Sequence, residues 1–149
     1  MSHKTLPSIE VRNLQRKYRV NCRSLQSFTP VALQVCHLVS RRYSLRPSLP
    51  DEIFILLISD RRMAELHRKF LHQTGPTDVI TFQHGEIFIS VPTAFRQARQ
   101  FGTSAVRELQ LYLVHGLLHL HGFDDRNDRD RRQMRAAETA VLRRVDRLK

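Results

Sequence analysis

One continuous hydrophobic segment constrains the fold of this chain more than any other feature of its sequence. Ile53–Ile58 reads IFILLI, inside the longer segment Asp51–Ser59. A strand without alternating polar residues is buried on both faces of its sheet. The same run is too short to cross a lipid bilayer. We therefore predict a strand at Asp51–Ser59 that other elements cover on both sides.

Weaker patterns on either side of this strand predict the remaining elements. Alternation of apolar and polar residues favours strands, apolar residues three to four apart favour helices, and Pro30 and Asp60 are typical of helix starts. The predicted strands are Ile9–Leu14, Val79–Phe82 and Glu86–Val91, and the predicted helices are about Thr29–Tyr43, Arg61–Leu71, Pro92–Gln100, Ala105–His121, and a last one from Asn127 or Asp128 to about Val145. This order predicts one α/β (α+β) domain over residues 1–149, with a small mixed sheet of about four strands and about five helices.

The charge balance of the chain points to an acidic partner. Lys and Arg number 25 against 14 Asp and Glu, a formal net charge of +11. A protein of this charge disfavours basic partners and favours polyanions, nucleic acid before membrane. Two cysteines, Cys22 and Cys36, are too few for a disulfide framework. Because the first residues contain no apolar signal region, we expect a cytoplasmic protein with no membrane partner.

Two histidines in the longest predicted helix suggest a metal site. His115 and His119 are four residues apart, so a helix projects them from one face. Gly122 then allows a left-handed turn, which can bring Asp124 or Asp125 back toward the histidines. Two His and one carboxylate form an open catalytic zinc set.

Two neighbouring residues limit the chemistry of this motif. Gly116 follows His115 where an HExxH peptidase has its general base, so the sequence disfavours that peptidase route. His121 lies two residues from His119, so it faces away from the pair, and we interpret it as a surface residue or a neighbour of the ligands.

Several segments together resemble the YbeY family. His115–Asp125 (HGLLHLHGFDD) resembles the family signature HGxLHLxGYDH, Pro76–Phe82 (PTDVITF) resembles its PTDVLSF strand, and Gly85–Ser90 (GEIFIS) resembles its GDIxIS strand. The similarity extends over nearly the whole chain. It implies a metal-dependent endoribonuclease domain of ribosomal RNA maturation and ribosome quality control, with a zinc-type site at the end of a long helix.

The resemblance also implies roles for individual residues. His115 and His119 match the first two family ligands, and Asp125 stands where the family has a third, histidine ligand, with Asp124 as the rival. These three residues are thus expected to be catalytic and to bind one Zn²⁺ per chain. Leu71 replaces a family arginine that contacts RNA. The RNA contacts expected around that position are Arg68, Lys69, His72, Thr77 and Asp78.

The predicted function is single-strand-directed cleavage of RNA, with ribosomal RNA or the small ribosomal subunit as partner. One alternative is a non-catalytic ribosome-assembly or RNA-binding factor that uses its metal structurally. A second alternative, a metal-dependent hydrolase of small phosphorylated or amide substrates, is disfavoured by the net charge of +11 and by the lack of a Gly-rich phosphate loop.

Overall fold

A computed structural model of the chain describes residues 5–71 and 77–148. The described residues form four strands and five helices in the predicted order. They are β1 (Ser8–Asn13), α1 (Cys22–Arg42), β2 (Glu52–Ile58), α2 (Asp60–Leu71), β3 (Val79–Phe82), β4 (Glu86–Ser90), α3 (Val91–Phe101), α4 (Ala105–Leu120) and α5 (Asp128–Arg147). Among these helices, none combines the length and the hydrophobicity that crossing a membrane requires.

The strands form one mixed sheet in the order β1-β2-β4-β3. β1 and β4 both pair with β2 in parallel, and β3 closes one edge antiparallel to β4. The parallel pairs are joined through helices, whereas β3 and β4 are joined by a tight turn with Gly85 at φ 119°. This single-domain α+β architecture confirms the predicted fold class.

The two faces of the sheet are covered by different helices. Ile53, Ile55 and Leu57 of β2 point into the larger core with α1, α3, α4 and α5. Leu56 and Ile58 point to the other face, where they pack with Met63 of α2. The strand period of two thus sends apolar side chains to both sides, as the uninterrupted hydrophobic run predicted.

Helices α1 and α2 begin upstream of their predicted first residues, each at a polar cap that the prediction did not use. α1 begins at Cys22 because the side chain of Asn21 accepts a hydrogen bond from the Ser24 N–H at 3.0 Å, so Pro30 lies inside the helix. α2 begins at Asp60, and Ser59 caps it instead, accepting from the Arg62 N–H at 3.2 Å. In both cases a polar residue upstream of the predicted start satisfies the free N–H groups of the first turn.

Gly116 lets α4 approach the sheet closely. A Cβ atom at this position would lie 2.6 Å from Cγ2 of Ile87 on β4 and 3.1 Å from Oγ1 of Thr81 on β3. A larger side chain there would push the helix away from the strands. The contact explains why a glutamate cannot follow His115, and it holds the histidine-bearing face of α4 beside β3.

Candidate metal centre

α4 positions the two histidines of the site. His115 and His119 lie one turn apart on the same face, and their Nε2 atoms are 3.1 Å apart. Both side chains are about one-fifth exposed, at 21% and 20%. Two imidazole nitrogens at this separation can bind one ion, because each turns the same ring atom toward a common point.

The turn after α4 brings a carboxylate to that point. Gly122 has φ 100°, and the Phe123 N–H donates to the Leu118 carbonyl at 3.1 Å. This geometry reverses the chain at the helix end. The buried ring of Phe123 packs edge-on against Tyr43, the residue that directly follows α1, with ring centroids 4.9 Å apart. The turn is therefore fixed to the core before the chain reaches Asp124 and Asp125.

Asp125 completes a triangle of ligand atoms. Its Oδ2 atom lies 3.3 Å from Nε2 of His115 and 3.5 Å from Nε2 of His119. Ligand atoms about 2.0–2.2 Å from a tetrahedral ion lie about 3.3–3.6 Å from one another. The three observed separations, 3.1, 3.3 and 3.5 Å, fit one face of such a tetrahedron. The residues present therefore fit a divalent metal ion.

Asp124 is turned to other partners. Its Oδ1 atom accepts the Asp125 N–H at 2.8 Å, and its Oδ2 atom pairs with the Arg126 guanidinium at 3.1 Å. The group of side chains able to share an ion, within the described ranges, consists of His115, His119 and Asp125. The geometry thus favours Asp125 over its neighbour as the third ligand.

Glu138 of α5 holds the opposite side of the His115 ring. The His115 Nδ1–H donates to Glu138 Oε1 at 2.5 Å, and the Glu138 side chain is only 14% exposed. A carboxylate on Nδ1 fixes the tautomer that leaves the Nε2 lone pair free for a metal. Such a partner also orients the ring and makes it a more basic ligand.

Sequence reasoning missed Glu138, although α5 carries a signal for it. Met134, Ala137 and Val141 are buried on one side of α5, and Glu138 lies on the same side of the helix. A glutamate within an apolar helix face needs a buried partner. The identity of that partner, 23 residues away on another helix, emerges only from the packing of α5 against α4.

The two histidines have opposite electrostatic environments. Burial acts to lower the pKa of His115, but the hydrogen bond to Glu138 and its negative charge outweigh burial and raise it. The pKa of His119 is lowered, first by burial and then by repulsion from His115. Of the two rings, His115 is therefore the one that binds an additional proton more readily.

The triad opens into a cleft of about 750 Å³ between β3 and the turn after α4. Of the residues predicted to contact RNA, Thr77 and Asp78 line this cleft, together with Leu71. Arg68 and Lys69 are exposed on the last turn of α2, next to the cleft wall. His72 lies outside the described residues.

Arg126, which sequence reasoning did not select, also lines the cleft and is 86% exposed.

His121 faces away from the candidate ligands, as expected, but it is not a surface residue. Its side chain is fully buried, and Nδ1 lies 2.7 Å from the Leu117 carbonyl. Its ring packs near His37 of α1, with centroids 5.9 Å apart. The prediction of exposure was wrong because α1 covers this side of the helix end.

Comparisons with known proteins agree with the motifs. The sequence model of the family described as endoribonuclease YbeY matches residues 10–146. A protein named endoribonuclease YbeY from Thermodesulfovibrio yellowstonii is 29% identical over an alignment covering 91% of this chain and 95% of its own. One of the same name from Heliobacterium modesticaldum is 34% identical, covering 65% and 71%. A solution structure of a Thermotoga maritima protein, 23% identical, shares the fold with a TM-score of 0.57 over 89% of this chain and 88% of its own.

Proposed function

Because the chain belongs to the YbeY family, whose sequence model spans residues 10–146, we propose that it is a metal-dependent endoribonuclease that cleaves single-stranded segments of ribosomal RNA. The observation that carries this proposal is the convergence of His115, His119 and Asp125 at the wall of an open cleft. A cleft of about 750 Å³ has room for part of a nucleotide strand but is not closed around a small substrate.

Zn²⁺ is the proposed ion, one per chain. Two imidazole nitrogens and one carboxylate oxygen form a ligand set that suits Zn²⁺ and leaves a position open for substrate. When bound, the ion supplies Lewis-acid stabilisation of the negative charge that develops on the phosphodiester. His115, His119 and Asp125 are the residues that would hold it.

The remaining residues of the site orient the ligands and receive the substrate. Glu138 fixes the His115 ring, and the anchored turn at Gly122–Phe123 fixes Asp125. Arg126 extends from the cleft rim, where its exposed guanidinium can approach a phosphate. Arg68, Lys69, Thr77 and Asp78 remain the proposed RNA contacts on the other wall, and His72, outside the described residues, remains a prediction from sequence. Leu71, on that wall, offers only apolar contact.

The charge of the chain supports an RNA substrate over a small molecule. A net charge of +11 raises the local concentration of a polyanion and provides many phosphate contacts. Of the alternatives, a purely structural metal would need a closed ligand sphere, whereas this triad faces the cleft. The open site favours catalysis over an assembly role alone.

Cleavage of single-stranded RNA by purified protein tests the proposal. Wild-type protein stripped with a chelator and reloaded with Zn²⁺ should cleave a ribosomal RNA fragment, while the stripped protein should not. His119→Ala should remove cleavage, and His37→Ala, which changes an exposed histidine of α1 outside the cleft, should retain it. Cleavage that survives in His119→Ala would show that this site is not responsible. Tight metal binding without any cleavage would instead favour the assembly factor.

A further inference from the structure

A second basic surface lies on the α1–α5 side of the molecule, away from the metal centre. Four arginines line a groove of about 410 Å³ between these two helices, with Val39, Ala140 and Leu148 as its apolar lining. The four, here called the arginine groove, are Arg42, Arg143, Arg144 and Arg147. All four are exposed.

The positive charge of the arginine groove is not neutralised locally. Within residues 5–71 and 77–148, none of the four guanidinium groups makes an ion pair or a hydrogen bond. Arginines elsewhere on the surface do pair, for example Arg96 with Asp60 at 2.6 Å. The acid nearest in sequence, Asp146, is bound from α4 by Arg107 at 2.9 and 3.1 Å. Four unpaired cations that share one concave surface form a site that attracts an anion.

An anion bound in the groove can reach the cleft only if it is long enough to pass around α5, because Arg147, nine residues after Glu138, projects from the opposite side of this helix. Arg143 and Arg147 follow Glu138 on α5 by five and nine residues, or about 8 and 14 Å along the helix axis. Glu138 itself touches the metal ligand His115. Arg143 and Arg147 are one turn apart and face the same groove, and Arg42 faces them from α1. A flexible chain of phosphates can follow such a row, whereas a single small anion would occupy only part of it.

We propose that the arginine groove binds the phosphate backbone of RNA that extends beyond the metal cleft. This inference rests on the proposed function in so far as the RNA is the substrate. Guanidinium groups bind phosphate with paired hydrogen bonds. The contacts are independent of base sequence, so the groove adds affinity and sets the direction of the strand without selecting the bases. A concave groove between helices fits a strand better than it fits a flat anionic membrane.

RNA binding by the metal-free protein tests this groove without requiring cleavage. The groove variant carries Arg42→Gln, Arg143→Gln, Arg144→Gln and Arg147→Gln. The charge-matched control carries Arg16→Gln, Arg19→Gln, Arg62→Gln and Arg99→Gln, four exposed arginines outside the groove that have no ion pair within the described residues. Circular dichroism and thermal melting check that both variants fold. Single-stranded RNAs of about five and about twenty nucleotides serve as short and long probes.

We expect the groove variant to bind the long RNA at least about tenfold more weakly than wild-type protein does. The slope of log affinity against log salt should also become shallower by about two to three, because each lost phosphate contact removes about 0.7 from that slope. The short RNA, which fits the cleft alone, should bind nearly unchanged. The control should lose less than the groove variant for the long RNA. Equal losses in both variants, or an unchanged salt slope in the groove variant, would overturn the proposal. If the groove variant bound RNA as wild-type protein does but no longer bound vesicles of anionic phospholipid, the groove would be a membrane-binding surface and the RNA proposal would be overturned.

This test separates the groove from the metal centre. If wild-type protein cleaves no RNA but the groove variant still shows the selective loss for long RNA, the groove stands and the endoribonuclease proposal fails. If wild-type protein cleaves RNA and the groove variant binds long and short RNA with the affinity of wild-type protein, the cleavage proposal stands and the groove proposal fails.

Discussion

Glu138 and His115 join the last helix of the chain to its metal centre through a hydrogen bond of 2.5 Å. The Glu138 side chain lies on the same side of α5 as buried apolar residues and is only 14% exposed. It would therefore act on a bound metal through the ring that it orients, although it is not itself among the three candidate ligands.

Replacing Glu138 should weaken metal binding while the ligands remain in place. We expect Glu138→Ala to reduce Zn²⁺ affinity about 10- to 100-fold, because the ring loses its orientation and its acceptor. Glu138→Gln keeps an oxygen that can accept the Nδ1–H, so its loss should be smaller. Competition with a chromophoric chelator measures both affinities. Glu65→Gln, at an exposed glutamate of α2, serves as the control. Equal affinity in wild type and Glu138→Ala would contradict the orienting role.

Asp125 and Asp124 should differ sharply when each is removed. Asp125→Ala should lose most of the bound metal because it deletes one of three ligands, whereas Asp124→Ala should lose less because that side chain only supports the turn. Metal content per chain after desalting measures the difference. A larger loss in Asp124→Ala would show that the turn delivers the other carboxylate.

Asp125→His tests how the charge of the third ligand affects the reaction. A neutral imidazole leaves more positive charge on the ion, which makes it a stronger Lewis acid. We predict that this variant retains zinc and keeps or raises the rate of RNA cleavage. Loss of zinc in Asp125→His, with full binding in Asp125→Ala, would contradict the assignment of this ligand.

Leu71 offers a gain-of-function test. Its side chain is 47% exposed and lines the cleft, so an arginine there could reach a phosphate without disturbing the core. Leu71→Arg should tighten RNA binding and lower the KM for cleavage by a factor of a few, with a steeper salt dependence. Leu14→Arg adds the same charge at an equally exposed leucine outside the cleft lining. An equal gain in RNA affinity in both variants would show that the added charge, and not its position in the cleft, causes the effect.

A separate ionic cluster should make stability depend on acid pH. Asp60 accepts hydrogen bonds from Ser90, Thr93 and Arg96. Burial acts to raise the pKa of Asp60, but these bonds together outweigh it and lower the pKa below the ordinary 3.8. Because the folded pKa is depressed, the stabilisation is complete above the ordinary value and is lost as the pH falls through the folded pKa.

Asp60→Asn isolates that contribution. We expect it to lower the free energy of unfolding at neutral pH by about 1 kcal/mol, a value reduced for the partial solvent exposure of the cluster. It should also flatten the dependence of stability on pH in the acid range. Urea denaturation at several pH values measures both effects. Asp51→Asn, at an exposed aspartate, is the control. If the dependence of stability on acid pH were the same in Asp60→Asn as in wild-type protein, groups other than Asp60 would be its cause.

The clustering of the two histidines with a carboxylate and the element order were predictable from sequence because both depend on local spacing. An i, i+4 histidine pair, a glycine turn and an apolar strand are contained in short segments. The start of α1 was placed too late because Pro30 is typical of a first turn, whereas the capping hydrogen bond of Asn21 lies upstream of it. Glu138 and the arginine groove both arise where α5 meets another helix, and such contacts depend on tertiary packing.

Stoichiometric titration of metal-free protein with Zn²⁺, with RNA cleavage recorded at each addition, tests the central claim most directly. The three converging ligands predict that the cleavage rate rises linearly and stops rising at one ion per chain. Full cleavage by protein that contains no metal would contradict the account. So would a bound equivalent of Zn²⁺ that leaves the RNA intact.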